Sequence, residues 1–133
     1  TLFPYTTLFR SYVYKAYDLG ILYYTLQFID IGKRASLLTN LYKSLNAGGG
    51  LLIFEKTRQN NPRANDILNQ LYTDFKLKNG YTGNEIVAKA RSLKGVLEPL
   101  STGQNLDLLK KSGFSNSTII HKTLCFDGIL AIK

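Results

Sequence analysis

Methionine and tryptophan are absent from this 133-residue chain, which carries one cysteine, one histidine and only three prolines. A single cysteine cannot close an internal disulfide, so a cross-linked scaffold is excluded, and its use fits a reducing compartment. His121 has no Cys or His partner at ligand spacing, so no zinc site is expected. No apolar run approaches the roughly 18 residues that a membrane span requires. Acidic residues are also few: 9 stand against 17 Lys and Arg, a formal net charge of +8. That surplus favours anionic partners, but the basic residues are scattered and the field alone names none. What the chain does have is apolar side chains, 44% of the total, enough for an ordinary packed core.

The first eleven residues, TLFPYTTLFRS, fit neither helical nor strand periodicity. They also lack the basic start, apolar run and cleavage site of a secretory signal. Residue for residue they match one translated frame of a widely used sequencing-adapter oligonucleotide. Residues 1–11 are therefore expected to be an artefact outside the fold. Residues 12–133 are expected to be the C-terminal half of a domain whose N-terminal half is missing, about one small domain's worth of chain.

From Asp18 the chain alternates. DLGILYYTLQFI is a continuous apolar run of strand length, as expected of a strand covered on both faces. Asp30 can cap a following helix in which Leu37, Leu38, Leu41, Tyr42 and Leu45 recur at helical spacing. Asn46-Ala47-Gly48-Gly49-Gly50 is expected to end it, and 51–55 (LLIFE) to form a second buried strand. The glycine run is not a phosphate loop, because a helix precedes it, a strand follows it and no Gly-Lys-Ser/Thr is present. Asn61-Pro62 opens a second helix with a stripe of Ala64, Ile67, Leu68, Leu71, Tyr72 and Phe75, closed by Asn79-Gly80. Thr82 with Glu85 and Ser101 with Gln104 open a third and a fourth, the latter closed by Gly113. Two strand-like runs finish the chain, with Asp127-Gly128 as the expected hairpin turn. The pattern predicts an α/β fold in which parallel strands carry helices on both faces and end in an antiparallel hairpin.

Several residues in this order carry a resemblance. They are Thr25-Leu26-Gln27-Phe28, Leu45-Asn46 with Gly48-Gly49, Glu55-Lys56, Asp74-Phe75-Lys76, Asn79-Gly80-Tyr81, Glu85-Ile86, Lys89 and Gly113-Phe114. At near-constant spacing over residues 18–133, they make the chain resemble the second half of a class I S-adenosylmethionine-dependent methyltransferase of Rossmann-like fold. More specifically they resemble the carboxy-S-adenosyl-L-methionine synthase family. The resemblance implies S-adenosyl-L-methionine or its carboxylated form as cofactor and prephenate as a substrate. It also implies a role in tRNA wobble-uridine modification, a homodimer and a cytoplasmic enzyme. It further implies that the main donor-binding segments precede this chain, so that the piece alone is inactive.

Ligands in open sheets of this class sit beyond the carboxyl ends of the strands. Those ends point to Tyr23, Tyr24 and Thr25 for the cofactor and to Lys56 for the substrate, with Arg58 and Arg63 in the following loop. Tyr23 and Tyr24 serve either as cofactor walls or as core, and as neighbours in a strand they are expected to face opposite sides. Tyr81 and Arg91 are further substrate candidates, each with a bland alternative in turn packing or surface charge. Two positions depart from the family pattern. Tyr23 stands where the family has an asparagine, and Ala90 where it has a carboxylate-gripping arginine, with Arg91 about 100° further round the helix. Those departures keep an ordinary small-molecule methyltransferase open as a second reading. A basic RNA-binding module is a third, without an aromatic or zinc signature to carry it. No catalytic residue or metal ligand stands out, Cys125 reads as core, and strand 19–25 is expected to form an apolar edge.

Overall fold

The computed structural model describes residues 14–133, so the reading of 1–11 as foreign and the boundary at 12 lie outside the described residues. Strand β1 (Tyr17–Tyr23) leads through a single 3-10 turn (Leu26–Phe28) into helix α1 (Ile31–Ser44). Strand β2 (Leu45–Lys56) follows, then α2 (Pro62–Lys78), α3 (Gly83–Ser92), α4 (Thr102–Lys111), β3 (Asn116–Thr123) and β4 (Phe126–Ile132). The four strands form one sheet in the order β1-β2-β4-β3, with β1 parallel to β2 and the other pairs antiparallel. This is the mixed α/β sheet that the pattern predicts.

Local chemistry sets the helix starts. The Asp30 carboxylate accepts from Gly32 N, and the Asn61 side chain accepts from Ala64 N with Pro62 beside it. Thr82 and Ser101 each complete a capping box, with Glu85 and Gln104 respectively. Each such cap satisfies backbone donors that would otherwise be orphaned, typically worth about 1 kcal/mol.

Cross-strand neighbours share a face, so Leu22, Leu51, Ile53, Ile129 and Ala131 line one side of the sheet. They pack against Leu37, Leu38 and Leu41 of α1 and against Leu109 and Phe114 at the α4 end. A fully enclosed side chain such as Leu38 contributes roughly 2 kcal/mol through burial. The opposite side is different. Leu19, Ile21 and Tyr23 are 58–65% exposed, and α2 reaches this side through Tyr72 against Phe126. The expectation that the first strand is covered on both faces is therefore corrected. The α2 stripe is likewise open, with Ile67, Leu71 and Phe75 about half exposed.

Three boundaries also differ from the sequence reading. The first strand stops at Tyr23, because Tyr24 turns into the left-handed region at φ 52°. The glycine run lies inside β2: Tyr17 pairs with Leu45 but Leu19 pairs with Gly50, so the intervening residues bulge. Glycine is required there, since a Cβ on Gly49 would sit 2.8 Å from the Asp18 carbonyl oxygen. The hairpin turns at Leu124-Cys125, with Leu124 at φ 51°, whereas Asp127 and Gly128 are buried members of β4. A Cβ on Gly128 would meet the Phe54 ring at 2.8 Å, so that glycine serves close packing and not a turn.

Two outcomes test this packing. Gly113 has φ 115° and a Cβ on it would sit 2.7 Å from the Tyr42 ring, so Gly113→Ala is expected to lower stability in urea by about 2 kcal/mol or more. Gly103, in the first turn of α4 with open space around it, should tolerate alanine or gain up to roughly 1 kcal/mol. Second, among the described residues β1 has a neighbour on one side only. The chain should self-associate with rising concentration in sedimentation, and Ile21→Lys should reduce that association. A wild-type monomer at every concentration would count against an open edge.

Candidate functional site

The carboxyl ends of β1 and β2 are tied together by one buried carboxylate. Glu55, 2% exposed, accepts from Leu26 N at 3.0 Å and from Gln27 N at 2.8 Å. Gln27 answers across the same gap, its side-chain oxygen accepting from Lys56 N at 2.7 Å. Arg34, buried in α1, donates to the carbonyls of Ile29, Gln27 and Glu98. Burial raises the Glu55 pKa from its ordinary 4.5 to about 7, although both backbone donors and the Arg34 charge pull the other way. Burial similarly lowers the Arg34 pKa, against the pull of Glu55. Cross-strand from Glu55 lies a second buried carboxylate, Asp127, which pairs with Lys122 at 2.7 Å and accepts from the Thr102 hydroxyl. Two like charges facing each other would be destabilising; here each has its own donors.

This knot turns the chain so that aromatic rings gather above it. Tyr24 N donates to the Phe54 carbonyl at 2.8 Å, and the left-handed turn brings the Tyr23 and Tyr24 rings edge to face at 4.4 Å. The expectation that these neighbours point to opposite sides is corrected, because Tyr24 lies outside the strand. Tyr23 also meets Phe54, Tyr24 meets Phe126, and Phe126 meets Tyr72. Lys56 stands over the Tyr72 ring at 5.4 Å and Lys76 at 4.4 Å. Burial, then Cys125 and Tyr81, raise the Tyr72 phenol. Burial also raises the Tyr24 phenol, with Tyr23 adding to it.

Tyr23, Tyr24 and Lys56 are thus brought around one aromatic row, whereas Tyr81 is 56% exposed and makes no ring contact with it among the described residues. Thr25 sits at its start, its hydroxyl donating to the Tyr23 carbonyl at 3.2 Å. Arg91 lies exposed in the last turn of α3, its side chain without a hydrogen bond or ion pair among the described residues. Arg58 leans to α4, donating to the Gln104 side chain at 3.3 Å. Sequence reasoning placed Glu55 at this strand end without giving it a role, and missed Arg34, Tyr72, Lys76 and Phe126 there. Tyr72 and Lys76 carried a signal, four residues apart on one helical face. Arg34 carried none, since a charged residue in a helix reads as surface. Among the described residues no group of three metal-ligating side chains occurs, and no helix is long and apolar enough to cross a membrane.

The fold matches that of solved methyltransferases. Human N-acetylserotonin methyltransferase in complex with SAM superposes with a TM-score of 0.64 at 24% identity, over 94% of this chain and 32% of that one. An O-methyltransferase family 2 protein from Planctomyces limnophilus in complex with apigenin gives 0.63 at 17% identity, over 94% and 32%. At that identity the likeness speaks for the fold alone. Sequence is more specific: the chain is a partial homologue of carboxy-S-adenosyl-L-methionine synthases. It is 42% identical to the Staphylococcus epidermidis synthase over 109 residues, 82% of this chain and 48% of the relative. The Trichodesmium erythraeum synthase is 41% identical over 113 residues, 85% of this chain and 45% of the relative. The Campylobacter jejuni protein of that name is 39% identical over 116 residues, 87% of this chain and 49% of the relative. The chain therefore spans about half the length of the curated relatives it matches. No family model matches it.

The knot has a pH signature. A carboxyl group whose folded pKa lies above its unfolded value binds more protons in the folded state, so its stabilising effect is complete below the unfolded pKa and is lost as pH rises. Between pH 4.5 and about 7 the chain should therefore lose stability, by up to about 3 kcal/mol for the Glu55 shift. Urea midpoints across that window should flatten in Glu55→Gln. Its amide would also face a backbone N–H with another N–H, at a further cost of roughly 1–3 kcal/mol.

Proposed function

We propose that this chain is the acceptor-side half of an S-adenosyl-L-methionine-dependent transferase that makes the carboxylated donor, as its homologues' names describe. The observation that carries the reading is the identity of 39–42% to three such synthases, spread over 82–87% of this chain. In it, Tyr23, Tyr24 and Thr25 line the donor side, and Lys56, Tyr81 and Arg91 face the second substrate. The residues present fit a cationic donor. Tyr23 offers a ring 65% exposed with Tyr24 edge-on to it, and aromatic faces attract a sulfonium as they attract other cations. When bound, the donor supplies an activated carbon on sulfur. The chain's own residues contribute walls and orientation, which is where catalysis by positioning lies.

The surplus of cationic side chains beside the rings suits a carboxylate substrate, and prephenate is the one that the resemblance implies. Lys56 is the substrate candidate that already stands in the row, over Tyr72. Arg91 takes part only through a bend of α3 toward that row, because its helix presents it to solvent. With these assignments go a cytoplasmic enzyme, a homodimer and a place in tRNA wobble-uridine modification. A second reading, an ordinary small-molecule methyltransferase, is favoured by Tyr23 and by Ala90 in the position of the gripping arginine.

A chimera tests the proposal. Residues 18–133 replace the matching segment of the Staphylococcus epidermidis synthase, and binding of S-adenosylhomocysteine is measured by calorimetry. We expect binding, weakened about tenfold by Tyr23→Ala, and formation of the carboxylated donor when prephenate is supplied. Methyl transfer without carboxylated product would favour the second reading. A folded chimera that binds no nucleoside would end both.

A further inference from the structure

Lys56 and Lys76 come from different elements, the end of β2 and the last turns of α2, yet both ammonium groups stand over the same Tyr72 ring. Both side chains and the ring are half-buried, so water screens the two charges incompletely. The ring offsets part of their mutual repulsion through its negative face. No carboxylate offsets the rest: the ion pair among the described residues is Lys122 with Asp127, on another strand pair. Burial, then the charge of Lys56, lowers the Lys76 pKa. The nearby Cys125 thiol is not the missing anion, because burial pushes its pKa up against the pull of both lysines. Phe126 and Phe75 both pack on Tyr72, so the two lysines lie beside a cluster of three rings.

We propose that Lys56, Lys76 and Tyr72 form a binding site for a compact dianion of the phosphoryl type. Two ammonium groups at 5.4 and 4.4 Å from the centre of one ring offer two charges to a single small group. Lysine binds such a group as a point charge, without the flat fork that a planar carboxylate favours. An occupant would supply the counter-charge and relieve the repulsion between the lysines. The site shares Lys56 with the substrate side proposed above but needs no methyl donor, so it is read without one.

The test uses the whole 133-residue chain with labelled lysines, followed by NMR while phosphate replaces chloride at constant ionic strength. Saturable shifts confined to Lys56 and Lys76, with a rise in the Lys76 pKa, are expected. Lys56→Gln and Lys76→Gln should each weaken phosphate binding about tenfold, Lys76→Arg should retain it, and Lys78→Gln should change nothing. Shifts that are linear in phosphate, equal at Lys78 or unchanged in Lys76→Gln would overturn the site. Saturation by malonate but not by phosphate would overturn the phosphoryl assignment. A chimera that fails to bind nucleoside beside a chain that still saturates with phosphate would sink the transferase reading alone.

Discussion

The Glu55 carboxylate is the joint on which the functional end of the molecule turns. It holds the backbone donors of Leu26 and Gln27, and through them fixes the path that the chain takes out of β1. Gln27 returns the connection to β2 at Lys56 N, and Arg34 gathers the carbonyls of Gln27, Ile29 and Glu98 beneath. A buried acid is expensive unless its oxygens are occupied. Here the occupants are the very segments whose geometry the site requires, so the cost of burial and the placement of the rings are one interaction seen from two sides.

Above that joint the site is built from surface that water does not favour. Tyr23, Tyr24, Phe54, Phe126 and Tyr72 form a continuous series of ring contacts across β1, β2, β4 and α2. Only the lysines interrupt it with charge. An apolar, cation-edged floor of this kind suits a flat organic molecule with anionic groups, and suits an extended polar chain poorly.

Much of the architecture was legible because helix initiation is local. Asp30, Asn61, Thr82 and Ser101 each act within three residues, and all four cap where the spacing said they would. What failed depends on partners distant in sequence. Asp127-Gly128 has the composition of a tight turn, but Asp127 is claimed by Lys122 and Thr102 and Gly128 by the Phe54 ring, so the chain reverses earlier. Adjacent Tyr23 and Tyr24 defied the alternation rule because the strand ends between them. Arg34 looked like surface because nothing nearby in sequence reveals the three carbonyls that it serves. The site was half legible for the same reason: strand ends can be inferred, whereas the helix that closes over them cannot.

The bulge in β2 has a consequence for how related chains can vary in length. Helix α1 runs straight into β2 at Ser44-Leu45 with no connecting loop, so an added or deleted residue there has to be taken up nearby. The glycine-rich stretch opposite Asp18 already holds surplus backbone, and a change of size in it leaves the pairing from Gly50 onward in step. The same insertion between Leu51 and Glu55 would turn the buried acid to the opposite side of the sheet. Indels in this lineage should therefore accumulate at the glycines and spare the five residues that follow.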